Sequence, residues 1–127
     1  MKVENARLLA FEVICDVLDK GAYSNLLLPQ RLSKTNLEPR DRAFATELVY
    51  GTLRLQGRLD HYLSQLSHRP LSELDFQLLV VLRVGIFQLK ELSMPPHAAV
   101  NETTELAKRV VGKRDRKSTR LNSSHRT

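Results

Sequence analysis

The sequence predicts an all-α protein, a bundle of five or six helices, on three observations. Apolar residues recur at i, i+3, i+4 spacing along most of the chain. The β-branched residues fall inside those helical patterns, and no Asn-Gly or Asp-Gly hairpin turn occurs. One stretch, Glu38 to Leu66, is apolar on more than one face, which places it in the middle of the others.

In chain order, Val3, Ala6, Leu9, Ala10, Val13, Ile14 and Val17 make one apolar stripe, with Glu12, Asp16 and Asp19 opposite. A first helix is expected from Val3 to Lys20, stopped by Gly21 as a left-handed cap. Cys15 sits at the edge of the stripe beside Leu8 and Phe11 and reads as a small border hydrophobe, with nothing nearby to lower a thiol pKa. Ser24 or Asn25 can cap a short helix through Leu32, with Pro29 inside it or at its break, and Ser33–Thr35 reads as a loop. Pro39 then opens the long stretch, because its missing N–H has no partner in a first helical turn and its φ is already helical. A break or kink is expected near Gln56–Gly57.

Arg69–Pro70 signals a turn before a second strongly apolar helix from Asp75 to Leu92, ended by Met94-Pro95-Pro96. Arg83 lies in the middle of that apolar run and needs a partner, expected from Glu47, Asp41 or Glu102. Gly85 is read as a close approach between helices. A last helix, His97 to Val111, places Ala99, Thr103, Leu106 and Val110 on one face, with Val100, Ala107 and Val111 beside it. Gly112 is expected to close it.

At 127 residues the chain is one domain with room for a core. Hydrophobic residues at 42% and charged ones at 27% are ordinary for a soluble globular protein. The longest apolar run, Leu78–Leu82, is far short of a membrane span, and Met1–Glu12 does not pattern as a signal peptide, so the expected location is the cytoplasm. A single cysteine excludes an intrachain disulfide. The net charge of +6 divides equally between residues 1–114 and residues 115–127, so the body is only mildly basic.

A search for catalytic chemistry finds none. His61, His68 and His97 are dispersed without metal-ligand spacing, and there is no Cys-x-x-Cys and no Gly-rich phosphate loop. What remains is basic: Arg7 in the first helix, Arg40 and Arg42 at the start of the long stretch, Arg54 and Arg58 as an i, i+4 pair on it, and Lys108, Arg109, Lys113 and Arg114 late in the chain. Such side chains can meet phosphates, and a solvated face is the commoner role for any one of them. No aromatic platform for stacking bases is evident.

Several spaced motifs carry a resemblance. Glu38-x-x-Asp41-Arg42-Ala43-Phe44, Glu47-Leu48-Val49-Tyr50-Gly51-Thr52-Leu53-Arg54 and Leu59-Asp60 resemble the NusB-like all-α domain. Arg69-Pro70, Val84-Gly85-Ile86-Phe87-Gln88-Leu89 and Pro95-Pro96-His97-Ala98-Ala99-Val100-Asn101-Glu102-Thr103 look most like the N-terminal domain of the RsmB (Sun/Fmu) ribosomal RNA (cytosine-5) methyltransferases. The resemblance spans Asn5 to Val111. It implies a NusB-like RNA-binding domain over residues 1–114, with ribosomal RNA as partner. It also implies a methyltransferase domain elsewhere in the same chain, which binds S-adenosylmethionine and supplies the cysteine nucleophile; no cofactor is expected in residues 1–114. On that reading Arg7, Arg54 and Arg58 are the candidates for RNA contact, and Asp41, Glu47, Arg83 and Glu102 are fold-setting polar residues. Two other readings stand beside it: the free antitermination factor NusB, whose arginine cluster near the first helix is matched here only by Arg7, and a helical module that docks protein.

The family pattern continues into a further helix that Asp115 onward replaces. The bundle is therefore expected to lack its last helix, to expose an apolar groove, and to be either weakly stable or self-associating. Asp115–His125 reads residue for residue as a translated sequencing adapter, and residues 115–127 are expected to be a non-native, disordered tail.

Overall fold

The computed structural model of the chain describes residues 5–121, with side chains described through residue 112. Six α-helices follow one another: α1 (Ala6–Lys20), α2 (Ser24–Leu32), α3 (Pro39–Arg54), α4 (Gln56–Leu66), α5 (Phe76–Lys90) and α6 (Pro96–Leu121). A short 3₁₀ turn at Leu71–Glu73 links α4 to α5. No strand occurs among the described residues, so the all-α expectation holds. Val3, at the predicted start of the first helix, lies outside the described residues.

Local chemistry explains most of the boundaries. The Asn5 side chain accepts the backbone N–H of Leu8 and so caps α1, and Gly21 ends it at φ 74°, a left-handed conformation that costs glycine little. Asp75 caps α5 the same way, accepting from the backbone N–H groups of Gln77 and Leu78. Pro39 occupies the first turn of α3 as expected. Helix α2 differs from expectation: its cap position is Tyr23, which makes no side-chain cap, and Ser24 is already helical. At the other end of α2, Arg42 of α3 donates to the Leu32 carbonyl at 2.9 Å and satisfies one of the free C-terminal acceptors.

Two boundaries fall elsewhere than the sequence suggested. The break in the long stretch is at Leu55, one residue before the expected pair, and Gly57 lies inside α4 with open space around its Cα. Helix α6 runs through Gly112 and through Asp115–Leu121, residues expected to be disordered. Gly112 is not in a left-handed conformation, and no proline follows to stop the helix. Residues 122–127 of that expected tail lie outside the described residues.

The centre is shared between α3 and α5. Helix α3 packs on α1, α2, α4 and α5, and α5 packs on α1, α3, α4 and α6. The core joins Ala10, Val13 and Ile14 of α1 to Leu48 and Val49 of α3, Leu59 of α4 and Val80, Val81 and Val84 of α5. Two glycines let the helices approach: Gly51 lies under the Phe87 ring, and Gly85 lies against the Thr103 side chain, as read from the sequence for Gly85.

Arg83 has a different partner from those expected. It grips Asp60 in a forked pair, Nε to Oδ1 at 2.8 Å and NH2 to Oδ2 at 2.9 Å, with NH1 donating to Gln56 Oε1 at 3.1 Å. The break at Leu55 is the reason. It frees α4 to fold back along α5, which brings Asp60 level with Arg83, whereas Glu47 and Asp41 stay on α3 and Glu102 faces α1. The Arg83 side chain is 11% exposed and Asp60 33%. Arg83→Leu is expected to destabilise by about 2 kcal/mol, the scale of charge-assisted bonds at a half-buried acid. Urea denaturation checks this, with Asp60→Asn/Arg83→Leu recovering part of the loss.

Cys15 is half-buried at the border of the core, as the pattern suggested. Burial first, then the nearby carboxylates led by Asp16, push its thiol up to about 12. The unfolded thiol ionises nearer 9. The thiol's contribution to stability is therefore intact below pH 9 and is lost as pH rises from there towards 12. Alkylation by iodoacetamide at pH 8 is expected to be at least tenfold slower in the folded chain than in urea, because thiolate is the reactive form.

Candidate nucleic-acid interface

The three arginines proposed for RNA contact sit on elements that meet around the C-terminal end of α5. Arg7 reaches that end through Gln88, Arg58 reaches it through Glu91, and Arg54 lies one turn beyond Gly51, which packs on Phe87. Sequence spacing put Arg54 and Arg58 on one helix as an i, i+4 pair. The structure places Leu55 between α3 and α4, so Arg54 closes one helix and Arg58 begins the next.

Their surroundings differ. Arg54 is exposed, in the last turn of α3, where a cation also suits the helix dipole. Arg58 is 55% exposed and holds the Glu91 carboxylate through NH1, at 3.1 and 3.2 Å to its two oxygens. Next to Glu91, the Lys90 ammonium lies 5.3 Å from the centroid of the half-buried Tyr62 ring. This corner of the bundle therefore offers Arg54, Arg58 and Lys90, with the Tyr62 ring beneath Lys90.

Arg7 is tied inward. Its Nε donates to Gln88 Oε1 at 2.7 Å, its NH1 is 3.4 Å from Glu102 Oε1, and its guanidinium stacks 4.9 Å from the Phe44 centroid. One side chain so joins α1, α3, α5 and α6. Gln88 is almost fully buried, and its amide in turn donates to the Val84 carbonyl at 3.0 Å. Of the residues read as fold-setting, Glu102 meets Arg7 and Arg83 meets Asp60. Asp41 is half-buried in the first turn of α3, and Glu47 is exposed on its outer face.

Sequence reading missed Gln88, Asp60, Gln56 and Glu91. Gln88 carried a signal, since a lone amide inside the run Val84–Leu89 must be bonded if the run is buried. Asp60 was visible only within the Leu59-Asp60 motif and Gln56 only at the expected break, and neither pointed to Arg83 without the course of α4 along α5.

No group of His, Cys, Asp and Glu fit to hold a metal occurs among the described residues. A cavity of about 20 Å3 between α1 and α6, lined by Asn5, Arg7, Glu102, Glu105, Leu106 and Arg109, has room for about one water. S-adenosylmethionine does not fit there, since ligand pockets run to roughly 300–1,000 Å3.

Comparison with known proteins agrees with this helical architecture. A candidate methyltransferase of Mycobacterium tuberculosis is 42% identical over 105 residues, covering 83% of this chain and 23% of the relative. A candidate ribosomal RNA small subunit methyltransferase B of Synechocystis is 39% identical over 105 residues, 82% of this chain and 24% of the relative. The ribosomal RNA small subunit methyltransferase B of Pectobacterium atrosepticum is 38% identical over 101 residues, 80% and 23%. The chain thus spans about a quarter of the length of these relatives. The NusB family profile matches residues 4–118, from α1 into α6, and the chain belongs to the NusB family.

Proposed function

We propose that the chain is the N-terminal RNA-recognition and positioning domain of a ribosomal RNA (cytosine-5) methyltransferase that uses S-adenosylmethionine. The observation that carries this reading is the set of relatives named for ribosomal RNA methylation, which match this chain over a quarter of their own length. In this reading ribosomal RNA is the partner, met by Arg54 and Arg58 at the α3–α4 corner, while Arg7 holds the helices that present them. S-adenosylmethionine and the nucleophilic cysteine belong to a methyltransferase domain outside these residues. No helix among the described residues is long and apolar enough to cross a membrane, and the cytoplasm is the proposed location.

Sequencing the locus from independent genomic DNA tests the assignment. The expected result is an open frame that runs from Val111 into a methyltransferase domain and lacks the adapter-like codons for Asp115–His125. A stop codon shortly after α6 would instead make the chain a free antitermination factor.

A further inference from the structure

At the end of α5 the chain turns sharply. The Glu91 and Leu92 backbone N–H groups both donate to the Phe87 carbonyl, at 2.8 and 3.2 Å, and that of Met94 donates to the Gln88 carbonyl at 3.0 Å. Between them Ser93 takes φ 55°, a left-handed conformation uncommon for a residue other than glycine. These bonds fix the backbone that carries Lys90 and Glu91. Both side chains reach across to one face of α4, where Arg58 and Tyr62 stand one turn apart. Lys90 lies over the Tyr62 ring, and the Glu91 carboxylate meets Arg58 NH1.

Glu91 stands where an acid is costly. Its side chain is only 19% exposed, and it caps the negative end of the α5 dipole, where a carboxylate is disfavoured. The seam between α4 and α5 does not depend on it, since Arg83 already joins the two helices through three hydrogen bonds. What the acid does is hold Arg58 by one nitrogen. NH1 spans both carboxylate oxygens, while Nε and NH2 make no hydrogen bond among the described residues and the Arg58 side chain is 55% exposed. Nε and NH2 form an edge through which a guanidinium takes two oxygens of a phosphate at once.

We propose that Glu91 is a positioning residue, which holds the Arg58 guanidinium with its Nε–NH2 edge open to a backbone phosphate of RNA. This rests on the RNA reading and adds to it the residue that orients the contact. An unrestrained arginine gives up rotamer freedom when it takes a ligand, and holding it beforehand lowers that cost. The carboxylate also repels the arriving phosphate, so its charge and its orienting effect act in opposite directions.

Glu91→Gln and Glu91→Ala separate the two, because both remove the same charge and only glutamine keeps an oxygen for NH1. The measurement is fluorescence anisotropy with a labelled small-subunit ribosomal RNA fragment at about 50 mM salt and above. Glu91→Gln is expected to bind roughly threefold to tenfold more tightly than Glu91→Ala, with equal salt slopes and unchanged circular dichroism. In an Arg58→Ala background the two are expected to bind alike, whereas a merely structural role would leave the difference in place. Should Glu91→Ala unfold, Glu91→Met, of similar length and without an oxygen acceptor, replaces it. A wild type that binds while the glutamine and alanine variants match, or a difference that survives without Arg58, overturns the positioning role and leaves the RNA reading standing. No binding by the wild type overturns both.

Discussion

Gly51→Ala destabilises the chain by about 1–3 kcal/mol, the range for overpacking a filled core. A methyl group at that position overlaps the end of the Phe87 ring, which is itself buried. Neither neighbour can give way easily. Gly51 is buried near the C-terminal end of α3, and Phe87 is wedged where α3 crosses α5. The clash is therefore relieved only by moving two helices that also hold most of the core. Phe87→Leu in the same chain is expected to recover part of the loss, and a double-mutant cycle in urea measures that coupling. The other glycines give the contrast. Gly57 lies in α4 with nothing within 4 Å of an added Cβ and no left-handed φ. Gly57→Ala is expected to stabilise by a few tenths of a kcal/mol up to about 1, since it restricts the unfolded chain without a clash. One substitution type thus changes sign with what stands over the backbone.

Arg7→Ala is the second large effect, about 2–3 kcal/mol. The loss has three parts: the bond to Gln88, the contact with Glu102 and the stacking on Phe44. The first dominates, because Gln88 is buried and its oxygen is left without that donor. Arg7→Lys keeps the charge but cannot bond through Nε while lying flat on a ring, and it is expected to recover less than half. Differential scanning calorimetry should show a drop in Tm on the order of 10 °C for the alanine variant. A loss of RNA affinity in an Arg7 variant would accordingly report the fold as much as any contact, which leaves Arg54 and Arg58 to carry the functional test.

Helical periodicity made most of this fold legible. The stripes of α1, α5 and α6, the proline opening α3 and the glycine closing α1 each have one physical cause visible in a few adjacent residues. What stayed hidden depends on tertiary placement. Gly57 announced a break to within two residues of Leu55, but not its consequence, which is that α4 packs back along α5. From that one break follow the Arg83–Asp60 pair and the separation of Arg54 from Arg58. Gly112 misled for a related reason, because glycine permits a left-handed cap but does not impose one. At the candidate interface, the residue types were readable as basic and the family motifs were readable as motifs. That Arg7 turns inward while Arg54 faces solvent was not, since it depends on Gln88, Glu102 and Phe44 converging from three other helices.

In the proposed function the bundle positions ribosomal RNA through cations at the α3–α4 corner. Fluorescence anisotropy with a labelled small-subunit ribosomal RNA fragment, between about 50 and 200 mM salt, tests it most directly. The affinity is expected to fall linearly in log–log form as salt rises. Arg54→Glu/Arg58→Glu, folded by circular dichroism, is expected to bind more weakly with a slope shallower by about 1.4, the value for two lost phosphate contacts on a single strand. No binding at the lowest salt, or binding whose strength and slope the double variant leaves unchanged, would contradict it.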